Sequence, residues 1–493
     1  MEEKNIVALD LGTSTIALTV AKVNGDDVQI VYYKEMPSAG IRYSGIFNPV
    51  NASDPVSRII KDAEEALDIK ITEVVVGKPK YAVRQESNSG KVIDRGEDTD
   101  ITAEDIAALK QSAEDSYPLE DETKEAIYGA VAQSFSDGEN FQIIENDIIG
   151  MASDVLEGHF KIFIGKSKDL KNIDTTMRKS GISARKKYFT ADTTAKAVLS
   201  EAEMENGVAL IDFGGGSTSV TIYHGSILRH YASIPFGGKN ITNDIKTECQ
   251  ISERLAENIK LAYGACMPEK LQSLSEKVIH IISNNAEPDK QVTVKYLSEI
   301  ITARVEEIMM AMLYEIEQSG FADLLRSGIV VTGGCAQIAN LGNFIYELSG
   351  YRVRTGYPQG RISAIGCDGI KDTTAATSIG LILAAKEDVL NCEIIEEEIE
   401  EEEIEEPAPA AKTVAEAPAK EVAPEDTEAP VAPRSQPRDG EIFADDEIEK
   451  VAPKPKKERK GNKRSIFDVI WRGVEKVKEE TGTLLDDLSK EEV

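Results

Sequence analysis

Two segments of the sequence share an aspartate, a glycine two residues later and a pair of hydroxyl side chains. They are residues 10–14 (Asp-Leu-Gly-Thr-Ser) and residues 212–218 (Asp-Phe-Gly-Gly-Gly-Ser-Thr). Glycine lets backbone N–H groups approach a phosphate closely, and hydroxyl groups add further donors. Asp10 and Asp212 would repel a phosphate, but they suit a hydrated Mg²⁺, which keeps most of its waters and takes few carboxylates. The pair predicts a site for a magnesium-bound phosphate compound.

Each segment follows a short apolar run, so either one alone also fits a plain β-hairpin turn, which is the commoner structure. A third glycine turn, Gly333-Gly334, comes after the apolar run 329–332. The combination of three such turns is more specific than any one of them, and it favours the phosphate site.

The elements that must position these turns alternate between β-rich runs and helical patterns, which predicts an α/β fold with mixed sheets. The predicted strands are Ile6–Leu9, Ala17–Val23, Val74–Val76, Val208–Asp212, Ser219–Tyr223 and Ile329–Thr332. The predicted helices are Asp54–Leu67, Thr102–Asp115, Asp192–Met204, Ser252–Tyr263, Val292–Gln318 and Ala375–Lys386. Because a strand ending in Asp-x-Gly occurs twice, we expect two similar half-molecules.

The composition argues against several classes of protein. A length of 493 residues gives room for two to four domains. The net charge of -31, from 87 acidic and 56 basic residues, argues against a nucleic-acid partner. The five cysteines are widely spaced without a Cys-x-x-Cys pair, which argues against disulfides or a zinc site and fits a reducing cytoplasm. The acidic start and the lack of an apolar run of about 18 residues predict a protein that is neither exported nor membrane-spanning.

The region from residue 393 to residue 464 differs from the rest in composition. Residues 393–450 hold 21 acidic and 5 basic residues, a net charge of -16. Residues 454–464 then hold seven Lys or Arg and one Glu. Like charges repel, and there is little apolar surface to bury, so we expect a disordered linker that is first acidic and then basic.

The segment 465–488 has the apolar period of an amphipathic helix. On a wheel of 100° per residue, its apolar side chains share an arc of roughly 140°. They are Ile466, Phe467, Ile470, Trp471, Val474, Val477, Leu484, Leu485 and Leu488. Trp471 at the edge of the arc suits the lipid headgroup boundary, and the preceding basic run attracts anionic lipid. We predict a reversible membrane-binding helix. A helix that docks on the protein's own body or on a partner is the alternative.

The turns, in their order and separation, are similar to those of the actin/Hsp70/hexokinase superfamily. Other stretches resemble one family within it, FtsA, the bacterial cell-division homologue of actin. The stretches that favour FtsA over Hsp70 are Gly150-Met151 followed by Leu156-Glu157, and residues 237–242 (Gly-Gly-Lys-Asn-Ile-Thr). The resemblance covers about residues 4–386.

The resemblance implies an actin-like ATPase fold of two related halves with an inserted small α/β subdomain, followed by the linker and the amphipathic helix. The implied parts are the first half at 1–77 and 166–204 (1A), the insert at 78–165 (1C), the second half at 205–239 and 323–392 (2A), a lobe at 240–322 (2B), the linker at 393–464 and the helix at 465–488.

The resemblance also implies a site for ATP and Mg²⁺, with Asp10 and Asp212 as the metal residues. The residues implied to bind the nucleotide are Asp10, Gly12, Thr13, Ser14, Asp212, Gly214, Gly215, Gly216, Ser217, Thr218, Lys239, Glu257, Lys260, Gly333 and Gly334. Glu257 and Lys260, three residues apart on a predicted helix, also fit a solvated ion pair. The superfamily often has an acidic or amide residue just before its connecting helix to orient water. Here only Asp192 lies near that place, displaced by one or two positions. Asp192 is therefore the candidate catalytic residue, and tight binding with slow hydrolysis is expected.

For function, the resemblance implies an ATP-binding division protein that polymerises and ties the tubulin-like ring protein FtsZ to the cytoplasmic face of the membrane at the division site. The implied partners are the FtsZ C-terminal tail at the lobe 240–322, further copies of the chain, anionic inner-membrane lipid, and other division proteins at the insert, with no nucleic acid.

Three other functions fit parts of the sequence. A membrane-associated scaffold of a pilus-type assembly would share the fold and the insert but would not need the basic and amphipathic tail. A small-molecule kinase of the actin fold needs a catalytic carboxylate, for which only Asp192 is available. An Hsp70-like chaperone needs a β-rich substrate domain that the linker and one helix cannot supply.

Overall fold

The computed structural model of the chain describes residues 3–93, 100–283, 290–360, 362–364, 366–396 and 442–445. The predicted amphipathic helix 465–488 lies outside the described residues, as does most of the predicted linker. The membrane-binding role of that helix therefore stays a prediction.

Strands and helices are interleaved along the described residues. The strands are β1 (Lys4–Leu11), β2 (Thr15–Asn24), β3 (Asp27–Pro37), β4 (Ile41–Arg42), β5 (Gly45–Ile46), β6 (Ile69–Ile71), β7 (Glu73–Lys78), β8 (Arg84–Ile93), β9 (Glu125–Ser136), β10 (Val155–Lys166), β11 (Ser183–Phe189), β12 (Val208–Phe213), β13 (Thr218–His224), β14 (Ile227–Ile234), β15 (Val278–Ser283), β16 (Lys290–Thr293), β17 (Ile329–Thr332), β18 (Val353–Thr355), β19 (Ile362–Ala364), β20 (Ile394–Glu396) and β21 (Ile442–Asp445). The helices are α1 (Pro49–Leu67), α2 (Ala103–Asp115), α3 (Glu145–Ile148), α4 (Ser167–Lys179), α5 (Thr190–Val198), α6 (Glu201–Asn206), α7 (Gly238–Cys249), α8 (Glu253–Tyr263), α9 (Val294–Gln318), α10 (Leu341–Ser349) and α11 (Ala376–Glu387).

Two sheets share one strand order and one set of strand directions. In the first, β1 pairs antiparallel with β2 and β2 with β3, while β7 and then β11 continue the sheet in parallel from the other side of β1. In the second, β12, β13 and β14 form the same antiparallel series, and β17 and then β18 continue it in parallel. The prediction of two related halves in an α/β fold with mixed sheets is therefore confirmed.

The central strand of each sheet is an unbroken apolar run. Ile6, Val7, Ala8 and Leu9 of β1 are fully buried, and every residue of β12 is buried. A strand covered on both faces reads as continuous hydrophobic sequence rather than as an alternating pattern, which explains why these two strands could be predicted.

Helices α5 and α11 pack closely beneath the first sheet. A Cβ atom added at Gly380 of α11 would lie 2.0 Å from the Thr193 carbonyl oxygen of α5, so glycine permits this approach. Nine of the twelve residues of α11 are buried, because other elements cover it on several sides. This packing fixes Thr377 of α11 near the ends of β1 and β7.

A smaller sheet, β8–β10–β9, forms with α2 a separate hydrophobic core within the predicted insert. Thr102 caps α2. Its hydroxyl accepts from the Asp105 N–H at 3.2 Å, and the Asp105 carboxylate accepts from the Thr102 N–H at 2.9 Å. The residue boundaries predicted for this insert and for the other subdomains stay predictions.

One expectation about the elements is wrong. The predicted helix Asp192–Met204 is two helices, α5 and α6, because Ser200 starts a new capping box with Glu203. Within the predicted linker 393–464, two short segments are strands: β20 pairs antiparallel with β6, and β21 pairs in parallel with β15. Their isoleucine and phenylalanine residues have high β-propensity, and each segment meets the free edge of an existing strand. The disorder predicted for the linker stays a prediction.

Among the described residues, no helix is both long enough and apolar enough to cross a lipid bilayer.

Candidate functional site

The two Asp-x-Gly turns lie at equivalent places in the two half-sheets. The first joins β1 to β2, with Leu11 paired to Ile16, and the second joins β12 to β13, with Phe213 paired to Thr218. Both are hairpin turns, which is the commoner structure for such a segment. The two halves bring them together at one cleft.

The turns approach each other so closely that side chains would not fit between them. A Cβ atom at Gly215 would lie 2.1 Å from the Ser14 Oγ, and one at Gly216 would lie 2.5 Å from the Thr13 Cγ2. Lys239 at the start of α7 also reaches across the cleft, where its ammonium donates to the Thr13 carbonyl oxygen at 2.8 Å. The cleft is therefore bounded by backbone and hydroxyl groups that can donate to phosphate oxygens.

The cleft holds a cavity of about 1270 Å³, which is ample for a ligand larger than most drug molecules. It brings together fourteen of the fifteen residues implied to bind the nucleotide. They are Asp10, Gly12, Thr13, Ser14, Asp212, Gly214, Gly215, Gly216, Ser217, Lys239, Glu257, Lys260, Gly333 and Gly334.

Thr218 and Asp192 are placed elsewhere. Thr218 is buried, and its hydroxyl donates to the Phe236 carbonyl oxygen at 2.8 Å. Asp192 accepts a hydrogen bond from the Tyr223 hydroxyl at 2.9 Å and lines a separate cavity of about 580 Å³. Thr190 of α5 does line the cleft. Two residues further along a helix is a rotation of about 200°, so Asp192 points away from the cleft. Its catalytic role stays a prediction.

Asp10 and Asp212 lie one on each half and face the same cavity. Burial raises the pKa of Asp10 to about 6; the ammonium of Lys80 partly offsets this, and the carboxylate of Asp212 adds to it. The two carboxylates together carry more negative charge than Lys80 neutralises. A divalent cation would relieve this imbalance.

The donor set fits Mg²⁺. Among the described residues, no three acidic, histidine or cysteine side chains gather as metal ligands. A metal held by Asp10 and Asp212 would therefore take its other ligands from water and from phosphate oxygens, as Mg²⁺ does in nucleotide sites. The hydroxyls of Thr13 and Ser14 add hard oxygen donors nearby.

Sequence reasoning missed Lys80. Its ammonium forms an ion pair with Asp212 and donates to the Thr377 Oγ1 at 3.0 Å. Burial alone would lower the pKa of Lys80, but attraction to Asp212 and Asp10 outweighs burial and raises it. Only the strand order places Lys80 at the cleft: β7 runs parallel to β1 and ends two residues before Lys80. The carboxyl ends of parallel strands meet at the ligand-binding edge of a sheet.

The far end of the cleft is built from α7, α8 and the Gly333-Gly334 turn. The ammonium of Lys260 donates to Glu257 at 2.7 Å, to the Thr242 Oγ1 at 2.9 Å and to the Gly238 carbonyl oxygen at 3.2 Å. The Lys260 side chain is only 10% exposed and the Glu257 side chain is 38% exposed, so the pair is partly buried. A nucleoside could accept and donate hydrogen bonds here.

Gly333 is required by its conformation and by its neighbours. Its φ is 87°, in the region that favours glycine, and a Cβ atom would lie 2.6 Å from the Asp212 Oδ1. Gly334 has a normal φ and more space around it. The turn therefore connects the end of the cleft at α7 and α8 directly to the acidic end.

The two matching half-sheets, joined at a cleft between glycine turns, define an actin-like protein. The solved PilM–PilN type IV pilus biogenesis complex is similar in fold, with a TM-score of 0.54 and 13% identity, over 77% of this chain and 98% of that one. A family model described as cell division protein FtsA matches residues 209–380.

Two relatives named cell division protein FtsA match most of the chain. The one from Neisseria meningitidis is 30% identical over 390 residues, which is 78% of this chain and 91% of the relative. The one from Borreliella burgdorferi is 32% identical over 392 residues, which is 78% of this chain and 92% of the relative. The chain belongs to the FtsA family, and its role is in cell division.

Proposed function

We propose that this chain is an ATP-binding division protein that polymerises and anchors FtsZ to the cytoplasmic face of the membrane at the division site. One observation carries the proposal within the family. Asp10 and Asp212, one from each half, line the same cavity. The glycine turns beside them lie too close together for side chains to fit between them.

ATP with Mg²⁺ fits the polarity of the cleft. The acidic end and the two turns suit the metal and the phosphates, and the Glu257–Lys260 pair suits the nucleoside. When bound, Mg²⁺ would supply charge neutralisation for the phosphates. The turns would supply N–H and hydroxyl donors, and Lys239 would hold the first turn against the second half.

Hydrolysis is proposed to be slow. The side chain nearest to the expected water-orienting position, Asp192, is engaged with Tyr223 on the other side of α5. Positioning of the attacking water is a large part of what a protein contributes to phosphoryl transfer. A site without a water-positioning side chain would therefore bind ATP but hydrolyse it slowly. The nucleotide would then act by biasing the closure of the two halves.

Membrane attachment is proposed to come from the helix 465–488, supported by the basic run before it. A single short amphipathic helix binds reversibly, but a filament presents many copies at once, so avidity gives stable attachment. Head-to-tail contacts between copies of an actin-like body produce such an open filament.

The protein partners are proposed to bind at two regions. The FtsZ tail would dock on the lobe 240–322, as the family resemblance implies. Other division proteins would bind the insert, where Phe141 is 73% exposed and Ile144 and Ile149 are also exposed. Neighbouring exposed apolar side chains are typical of a surface that contacts a partner.

Calorimetry of the full chain tests the nucleotide site. We expect heat of binding with Mg²⁺ and ATP, and Gly216→Ala should weaken binding by about tenfold or more because the new methyl group collides with Thr13. Gly342→Ala is the matched control: Gly342 lies in α10, and its nearest non-local atom would be 3.8 Å from the new Cβ. No heat from the unmodified protein would contradict the proposal.

A further inference from the structure

Lys80 links the two halves of the molecule across the cleft. It follows β7 of the first half, and its ammonium pairs with Asp212 at the end of β12 in the second half. The side chains of Lys80 and Asp212 are only 17% and 10% exposed. A buried ion pair with an additional hydrogen bond to Thr377 holds its geometry far better than a solvated pair does.

The backbone of Lys80 is fixed on both sides. Its N–H donates to the Ser44 Oγ at 2.8 Å, and its carbonyl oxygen accepts from the Tyr231 hydroxyl. The Ser44 N–H in turn donates to the Thr13 Oγ1 at 2.8 Å. The main chain of Lys80 is thus tied to the first glycine turn and to β14, so only its flexible four-carbon side chain is free to change partner.

The charges around this side chain favour such a change. Asp10 and Asp212 would each be engaged by an entering Mg²⁺. The ammonium of Lys80 would then face a divalent cation where it had faced a carboxylate. Phosphate oxygens that arrive with the metal would be the nearest new acceptors, and an ammonium with three donors suits them.

We propose that Lys80 is a ligand for the terminal phosphate of a nucleoside triphosphate, released from Asp212 when Mg²⁺ takes that carboxylate. The inference rests on the proposed function, because it requires the cleft to bind a magnesium nucleotide. A diphosphate offers no oxygen at the terminal position, so Lys80 makes the site prefer triphosphate. With a triphosphate, the same exchange replaces the Lys80–Asp212 pair by a contact between Lys80 and the terminal phosphate, and a diphosphate cannot make this contact.

The variant Lys80→Gln of the full chain tests the inference by calorimetry with Mg²⁺ and either ATP or ADP. We expect the ATP affinity to fall by about tenfold or more, the range of one charged hydrogen bond. The ADP affinity should fall by less than about threefold or should increase, because the Lys80 ammonium no longer competes with Mg²⁺ for Asp212. Lys70→Gln is the matched control: Lys70 does not line the cavity, its side chain is 55% exposed, and its ammonium pairs with Glu64 at 2.9 Å.

A second measurement uses Mg²⁺ alone. In Lys80→Gln the two aspartates lack their internal cation, so millimolar Mg²⁺ should raise the midpoint of thermal unfolding by several degrees more than in the unmodified protein. An equal effect of Mg²⁺ on both proteins, or an equal loss of ATP and ADP affinity in the variant, would overturn the inference.

A third measurement needs no variant and serves if Lys80→Gln does not fold. With Mg²⁺ chelated by EDTA, Lys80 stays paired with Asp212. The ratio of the ADP dissociation constant to the ATP dissociation constant of the unmodified protein should therefore fall towards one. A preference that persists unchanged in EDTA would contradict the exchange. These outcomes differ from failure of the proposed function, in which the unmodified protein would bind neither nucleotide.

Discussion

Asp10 is held where its negative charge is disfavoured. Burial raises its pKa from 3.8 to about 6, and the nearby Asp212 carboxylate adds to this, while Lys80 offsets only part of it. The unfolded chain would ionise Asp10 freely at neutral pH, so this residue lowers the stability of the folded protein there. Such a cost is typical of a group placed for binding rather than for stability.

Replacing Asp10 by asparagine should therefore stabilise the nucleotide-free protein at pH 7.5, by about 1 to 3 kcal/mol in the free energy of unfolding. Below about pH 4 the carboxyl group is protonated in both states, and this cost is absent. Between about pH 4 and pH 6 the folded protein keeps a proton that the unfolded chain gives up, so the stability of the unmodified protein falls relative to the variant as the pH rises. Urea unfolding at several pH values measures this difference.

The same Asp10→Asn variant should lose binding of Mg²⁺ and ATP, because an amide is a weaker metal ligand than a carboxylate. A variant that is destabilised at pH 7.5, or a stability difference that is the same at pH 4 and pH 7.5, would contradict this account of Asp10.

Residue types and short spacing were sufficient to predict most of the cleft. Asp10 and Asp212 could be recognised because each follows an apolar strand and precedes glycine. Lys80 could not, because its partner is 132 positions away and only the strand order brings the two together. Asp192 was selected by its distance along the chain, whereas the rotation of α5 decides which side chain faces the cavity.

At the scale of elements, the interruption between α5 and α6 shows how a local bond overrides a helical pattern. Ser200 accepts from the Glu203 N–H at 3.3 Å, and the Glu203 carboxylate accepts from the Ser200 N–H at 2.9 Å. Glu203 also binds Arg354 at 2.6 Å. The capping box starts α6, and Glu203 connects α6 to β18 of the second sheet. The chain therefore changes direction at Ser200, where it passes from the first half to the second.

Ser200→Ala should lower the free energy of unfolding by about 1 kcal/mol, because the first turn of α6 loses its cap. Ser200→Thr is the matched control and should retain most of the stability, since threonine forms the same capping box. Urea unfolding followed by circular dichroism measures both. Equal losses in the two variants would show that the cap is not the cause.

Elements with a continuous apolar run or a strong helical period could be predicted from the sequence. Those that depend on pairing partners could not. Strand β8 of the insert is rich in polar residues, and it joins a sheet because its backbone groups pair with those of β10. The short strands β20 and β21 lie in acidic sequence that alone favours an unpaired chain.

At the scale of the whole molecule, the proposed filament and the proposed membrane helix depend on each other. One tail alone would leave and rebind quickly, and a row of bodies without tails would not reach lipid. The actin-like body and the charge pattern of residues 393–464 are thus parts of one proposed mechanism, in which the acidic section is repelled by anionic lipid and the basic section is attracted to it.

Trp471→Glu in the full chain should reduce co-sedimentation with vesicles of anionic phospholipid by at least about tenfold, because a carboxylate replaces the indole on the apolar arc. Thr483→Glu adds the same charge on the polar side of the predicted helix and is the matched control. Equal binding of the two variants would rule out the predicted orientation of the helix.

The pairing of β21 with β15 also has a mechanical consequence. Tension on the chain beyond Asp445 would reach the body first through this four-residue ladder, and the ladder would have to open before the 45 residues from 397 to 441 were stretched. Fully extended, those residues would add roughly 150 Å of reach. The pairing of β21 with β15 would thus be a contact that opens by force rather than by a ligand.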